Sequence, residues 1–544
     1  MSMRRRELLR TVGGLCAWAS LPDFVGCADL QDGEGDGAEV EFLHGVASGD
    51  PLPDTVLLWT RITPRGVPSV PSAPAAQAAR AARAADASNH QRPRTVHWEV
   101  AADSEFRERV AEGDTQTDAS RDYTVKVDAD GLESGTVYYY RFSVGHVTSP
   151  IGRTQTAVAG ATTRLRFAVV SCASLAHGYF HGYRSISERL DLDAVIHLGD
   201  YIYEYGDGEY GSVRGYEPPH ELHSLSDYRA RYAQYRRDPD VQALHRQLPL
   251  IAIWDDHEFA NNAYEDGSLD TPPGPDMGAF GPRKAAALQA YVEWMPIREP
   301  SQGRCFRSFA FGDLADLVLL DTRVWGRQRQ LASTADPALR DVHRTLLGPD
   351  QESWLTDQLS ASRARWRLIG QQVMVGRYPI ETNLDTWDGY PAARQRLVAQ
   401  LRAAPDTVVL TGDVHSSWAM NIVDEPLEPS VAGAPAVTGN SSVAVEFVTP
   451  GITSPLLDQA SGEIWQARVL AQPHVKYVQL WRRGYMVLDV DRSRVQAAWY
   501  HYDAVDQPEP VEPSFGGAAA VYSGQPFVQL EAIAAAPRDS AAAT

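Results

Sequence analysis

The chain has 544 residues, 44% of them hydrophobic and 22% charged, and a net charge of −20 at pH 7. This composition excludes a disordered, collagenous or multi-span membrane protein, and the length predicts about three domains or one large catalytic domain with an appendage. The acidic excess repels phosphate backbones and disfavours nucleic-acid binding, so a phosphate-bearing substrate needs a local cation.

The first segment begins with Arg4-Arg5-Arg6, followed by Leu8-Leu9 and an apolar run from Val12 to Leu21. That run is too short to span a bilayer, and a basic start before it is the layout of an export signal over residues 1–30. The paired arginines resemble a twin-arginine signal, which makes the twin-arginine export machinery an expected partner and the periplasm, cell surface or medium the expected location. Phe24-Val25-Gly26-Cys27 imperfectly resembles the box before a lipid-modified cysteine, so a lipid anchor on Cys27 is an alternative. With Cys16 and Cys27 in this segment, only Cys172 and Cys305 remain in the body, which rules out a disulfide scaffold.

Residues 31–40 read as a Gly/Asp/Glu linker. Over 41–158 short apolar runs alternate with Gly, Pro and Asp turns: Phe42-Leu43, Val56 to Trp59, Val96 to Val100, Tyr123 to Val127 and Val137 to Phe142. These predict a small all-β sandwich of fibronectin III or immunoglobulin type, with 64–94 as an Ala/Pro/Arg-rich surface insertion. From 164 to 505 the texture becomes α/β, with buried-type runs at Phe167 to Val170, Ala194 to Leu198, Leu250 to Trp254, Leu317 to Leu320, Leu368-Ile369 and Val408 to Leu410. Met486 to Val490 and Ala497 to Tyr500 read as closing strands. Residues 506–544 form a C-terminal segment whose end, Ala535 to Thr544, is expected to be a disordered tail.

Four of the α/β runs lead into polar clusters: Ser171-Cys172, Gly199-Asp200-Tyr201-Ile202-Tyr203-Glu204, Asp255-Asp256-His257-Glu258 and Gly412-Asp413-Val414-His415. Ligands gather beyond the carboxyl ends of sheet strands, so these clusters are expected to converge. Thiolate, carboxylate and phenolate from Cys172, Asp200 and Tyr203 bring three negative charges and His415 a neutral nitrogen, a set suited to Fe(III). The spacing of Asp200 and Tyr203 lets both face one point if the chain turns into a helix there. Asp256, Asn261, Asp413 and the second oxygen of Asp200 offer oxygen ligands for Ca(II), with Mg(II), Mn(II) or Zn(II) as alternatives.

In this order the four blocks resemble the alkaline phosphatase D (PhoD) family of the metallophosphoesterase superfamily, over about residues 41 to 503. The resemblance implies a metallophosphoesterase-type layered β-sandwich flanked by helices, and hydrolysis of small phosphate monoesters or diesters by metal-activated water. It also implies iron on Cys172, Asp200, Tyr203 and His415, and calcium on Asp200, Asp256, Asn261 and Asp413. The Asp255-Asp256 pair leaves the calcium set ambiguous. His257 resembles an outer-sphere histidine able to protonate the leaving alcohol or hold the phosphate. Arg283, in Gly281-Pro282-Arg283-Lys284, reads either as a phosphate-binding fork or as a surface helix start.

Plainer readings stand beside these. Cys172 and Tyr203 fit simple packing, His197 a core histidine, His220 and His223 a surface loop, Cys305 a structural thiol, and Trp254 and Trp418 packing aromatics. A phospholipase-D-like diesterase is the rival activity, and a β-sandwich surface-binding protein the rival class. A monomer is expected.

Overall fold

The computed structural model describes residues 40–64, 93–268, 280–378, 383–423 and 442–537. The export signal, nearly all of the linker, the body of the 64–94 insertion and the last seven residues of the tail lie outside the described residues.

Two large mixed sheets pack face to face. One has ten strands and carries Arg164–Val170, Ala194–His197 and Leu250–Ala252 in parallel at its centre. The other has seven, with Ala315–Leu319, Trp366–Gln371, Thr407–Thr411 and Ser442–Val448 in parallel. The runs Phe167 to Val170 and Val408 to Leu410 are fully buried, as strands covered on both faces must be. The sheets share one core: Phe167 meets Phe311 edge-on at 5.1 Å, and Leu198 packs with Leu317 and Leu368. Helices Phe280–Trp294, Gly348–Ala361 and Pro391–Ala403 contribute further buried side chains. This is the layered sandwich flanked by helices.

The N-terminal β-unit is a sandwich with an unexpected join. Its five-stranded sheet contains Arg94–Ala101, Arg109–Thr117, Val137–Val144, Val147–Thr148 and Gly152–Gln155. Along Val137–Val144 half-buried and buried residues alternate strictly, as the pleat requires of a sheet covered on one face. The facing strands Val46–Gly49, Val56–Arg61 and Thr124–Ala129 are not a separate sheet. They extend the ten-stranded one, because Val46–Gly49 pairs with Leu250–Ala252 through Gly49 and Leu250. A Cβ at Gly49 would lie 1.9 Å from the Pro296 carbonyl oxygen, so only glycine permits the join.

Three expectations change. Phe42-Leu43 is a turn rather than a strand: Gly45 donates to the Phe42 carbonyl at 3.2 Å and adopts φ +66°, and the short strand is Val40–Glu41. The C-terminal segment continues the sheet through Ser514–Tyr522 and Gln525–Glu531. The start of the expected tail is bound, since the Ala536 carbonyl accepts from both Arg164 and Arg166.

Candidate metal centre

The polar clusters converge where strands of the two sheets end. The Cys172 N–H donates to the Gly199 carbonyl (3.1 Å) and the Ala173 N–H to the Asp200 carbonyl (2.9 Å), zipping two neighbouring strand ends together. Ser171 bridges to Gly451 beyond the other sheet. Gly199, at φ +103°, lies so close to Asp255 that a Cβ would come within 2.4 Å of that residue's own Cβ. Cys172 (φ 59°), Asp200 (55°), Asp413 (62°) and His415 (58°) all adopt left-handed backbone. Non-glycine residues hold that conformation at a cost of about 1–3 kcal/mol each and gather at functional sites.

Ligand atoms of Cys172, Asp200 and His415 lie within 4.8 Å of one another. The Tyr203 hydroxyl stands among them, 3.0 Å from Asp200 Oδ2, 3.4 Å from His415 Nε2 and 2.6 Å from Ser454 Oγ. Asp200 and Tyr203 meet without a helical turn, because residues 200–206 run as irregular chain. The Tyr203 carbonyl is instead tied to the buried guanidinium of Arg231. His415 Nδ1 donates to the Pro455 carbonyl at 2.8 Å, which fixes the tautomer and turns the Nε2 lone pair inward. Burial lowers the His415 pKa to about 4, leaving the ring neutral.

A second group of ligand atoms joins Asp255, Asp256 and Asp413, and a third joins Asp200, Asp256 and His257. Asp200 Oδ1, Asp255 Oδ2 and Asp256 Oδ1 are buried with no hydrogen-bond partner. Burial, then the carboxylates of Asp256, Glu258 and Asp413, raise the Asp200 pKa well above the ordinary range against the pull of His257. Burial also pushes Asp413 up to about 7 despite Arg323. Burial and Asp200 raise Cys172 far above a free thiol. Orphaned buried oxygens and acids that resist ionisation describe a cavity short of positive charge, so this donor set fits metal cations.

His257 is fixed by Glu204, whose Oε2 accepts from Nδ1 at 2.8 Å. Burial would depress its pKa, but the carboxylates of Glu204, Asp256 and Asp200 outweigh it and hold the imidazole well above its ordinary value. The other oxygen of Glu204 accepts the Asn261 N–H at 2.5 Å, and the Asn261 carbonyl accepts from Ser268. Asn261 therefore meets the cluster through its backbone. Arg283 is buried rather than at a surface helix start, with Nε on the Tyr228 hydroxyl (3.0 Å) and Nη1 on Glu221 (2.8 Å). Those contacts engage Nε and Nη1, while Nη2 is buried without a partner.

Sequence reasoning assigned no role to four residues. Arg323, fully buried, donates to Asp413 (2.7 Å), Asp385 (2.7 Å) and Asp255, and stands 3.5 Å from Asp256. It follows the strand Ala315–Leu319, so the strand-end rule that found the other clusters pointed to it as well. Glu258 accepts the N–H groups of Asp200, Tyr201 and Asp255 and so shapes both loops. Ser454 links Tyr203 to the Cys172 carbonyl. Asp385 carries no sequence signal. The plainer readings of His197, Cys305, Trp254 and Trp418 agree with their burial, His197 meeting the Tyr183 hydroxyl at 2.9 Å.

A family model described as PhoD-like phosphatase matches residues 167–499, and its N-terminal domain model matches 28–158. The chain belongs to the PhoD-like phosphatase family. Alkaline phosphatase D of Bacillus subtilis (strain 168) is 38% identical over 476 residues, covering 83% of this chain and 76% of that protein. A solved structure titled Structure of PhoD superposes with a TM-score of 0.77 at 33% identity, covering 92% of this chain and 93% of that one. Family membership makes the chain a phosphoric ester hydrolase, and the PhoD fold accounts for both the layered sandwich and the β-unit before it.

Proposed function

We propose that this phosphatase hydrolyses phosphate monoesters and diesters with metal ions held by its strand-end clusters. The observation that carries the reading is the convergence of buried Cys172 and Asp200 with half-buried His415 around the Tyr203 hydroxyl. Cys172, Asp200, Tyr203 and His415 would hold iron, since three anionic donors match a trivalent charge. Asp200, Asp256 and Asp413, with Asn261 beside them, would hold an oxygen-ligated calcium. Bound ions supply Lewis acidity toward the phosphoryl group and acidify water. The chain does the rest. Arg323 fixes Asp413 and favours the ionised form of Asp256, the His415–Pro455 contact orients the imidazole, and Glu204 holds His257 so that Nε2 can deliver a proton to the departing alkoxide. Export is part of the same proposal and rests on the arginines before Leu8-Leu9.

The test is hydrolysis of p-nitrophenyl phosphate and bis-p-nitrophenyl phosphate, with metal analysis of the purified protein. Cys172→Ala should lose iron and both activities together, and calcium chelation should lower turnover while a visible ferric-phenolate band persists. Full turnover by metal-stripped protein would overturn the proposal.

A further inference from the structure

Five arginines are fully buried among the described residues: Arg166, Arg231, Arg236, Arg323 and Arg327. Four of them direct their charge at acceptors. Arg166 meets Asp191 at 2.6 Å and Asp489 at 3.1 Å, Arg231 donates to the Tyr205 and Pro218 carbonyls, and Arg323 and Arg327 share Asp385. Arg236 differs. Its Nε, Nη1 and Nη2 have no hydrogen-bond partner, so among the described residues no carboxylate balances its charge. The face of the guanidinium is accounted for, since its carbon lies 4.0 Å from the centre of the Trp59 ring. The N–H edge, with five donors, is not.

Two hydroxyls nearby share this condition. Tyr140 Oη and Ser48 Oγ are buried without a partner, and both Ser48 and Arg236 bear on the Tyr140 phenol. The three come from separate elements: Ser48 from the strand Val46–Gly49, Tyr140 from Val137–Val144, and Arg236 from the end of the helix Leu225–Arg236. Both sheets of the first β-unit therefore meet a helix of the catalytic domain at this point. Tyr140 is held in place by its ring lying against Gly152, where a Cβ would come 2.2 Å from Cζ. The unbalanced charge reaches further out. Burial, then Arg236, lowers the His245 pKa well below its ordinary value, and burial, Arg61 and Arg236 do the same to His44, so neither ring carries charge. The neighbouring cations Arg61 and Arg237 have their own partners in Asp122 and Glu217.

We propose that a halide ion of chloride size binds among Arg236, Tyr140 and Ser48 and fastens the first β-unit to the catalytic domain. A buried charge with no counter-charge is costly, and an anion here accepts from all three side chains while cancelling it. Water would satisfy the donors and leave the charge standing. Ser48 and Tyr140 have 0% exposure and Arg236 1%, so the ion is enclosed as the two parts of the fold meet, and a monatomic ion suits the site better than a phosphate.

Full-length protein purified and crystallised in sodium bromide tests this by anomalous scattering. A bromide peak within hydrogen-bonding reach of Arg236 and Tyr140 is expected; an ordered water there, or no density at all, would overturn the proposal. In solution, the melting temperature is followed at fixed ionic strength as chloride replaces bulky gluconate. Once the site fills, it should rise by about 1 °C for each tenfold increase in chloride. Arg236→Met should abolish both the peak and the rise. Tyr140→Phe keeps the ring and removes one donor, so the fold survives and the rise should begin at about tenfold higher chloride. A melting temperature indifferent to chloride in the parent, or an unchanged response in Tyr140→Phe, would also overturn the site.

Discussion

Arg323 Nη2 stands 2.7 Å from Asp413 Oδ1, and the arginine has no exposed surface. The same guanidinium serves Asp255, Asp385 and Asp256, so one residue holds four carboxylates in place. Arg323→Met would leave those charges buried and uncompensated, a change that costs about 3–5 kcal/mol. A clear fall in the urea unfolding midpoint of the metal-stripped protein is expected, and a midpoint equal to that of the parent would refute the role.

Ser454 has no donor role toward metal, yet its hydroxyl lies 2.6 Å from that of Tyr203 and 2.8 Å from the Cys172 carbonyl. Ser454→Ala should weaken metal retention about 10–100-fold, as loss of an outer partner does, while the fold persists. Competition with a colorimetric chelator measures this. Unchanged retention would show that Tyr203 holds its position unaided.

Glu204 determines where His257 points. If that imidazole protonates the leaving group, Glu204→Gln should slow alkyl esters, which need the proton, by at least about tenfold, and aryl esters much less. The ratio of kcat for the two ester types is the readout. An equal loss on both would assign Glu204 to architecture alone.

Acid sensitivity has its own source in the core. Burial lowers His197 to about 3 and His501 to about 4, the latter helped by Arg482. Both histidines are neutral when folded and take up a proton on unfolding below about pH 6.5. Their contribution to stability is complete above that pH and declines as pH falls toward 4 and then 3, by about 1.4 kcal/mol per pH unit for each. His501→Gln should flatten the plot of melting temperature against pH between 6.5 and 4.5. A slope equal to that of the parent would remove His501 from the account.

Much of this was legible in the sequence because parallel strands buried on both faces leave continuous apolar runs, and their carboxyl ends must carry whatever the site uses. Cys172, Asp200, Tyr203 and His415 were all reachable by that rule. Arg109–Thr117 was not, since it is mostly exposed and lacks an apolar run, and Ser514–Tyr522 is hidden by its Gly-Gly-Ala-Ala-Ala stretch. The contacts of Arg283 and Arg323 were beyond reach for a different reason. Which carboxylate an arginine meets depends on chain segments tens of residues away, Glu221 in one case and Asp385 with Asp413 in the other.

The pairing of Gly49 with Leu250 makes the first β-unit a keystone rather than a bead on a string. Excising it would strip a neighbour from Leu250–Ala252, baring an open backbone edge one strand away from the loop that carries Asp200, in a form ready to pair with another molecule. A truncated catalytic unit should therefore clump rather than work, and engineers seeking a smaller phosphatase would do better to trim elsewhere.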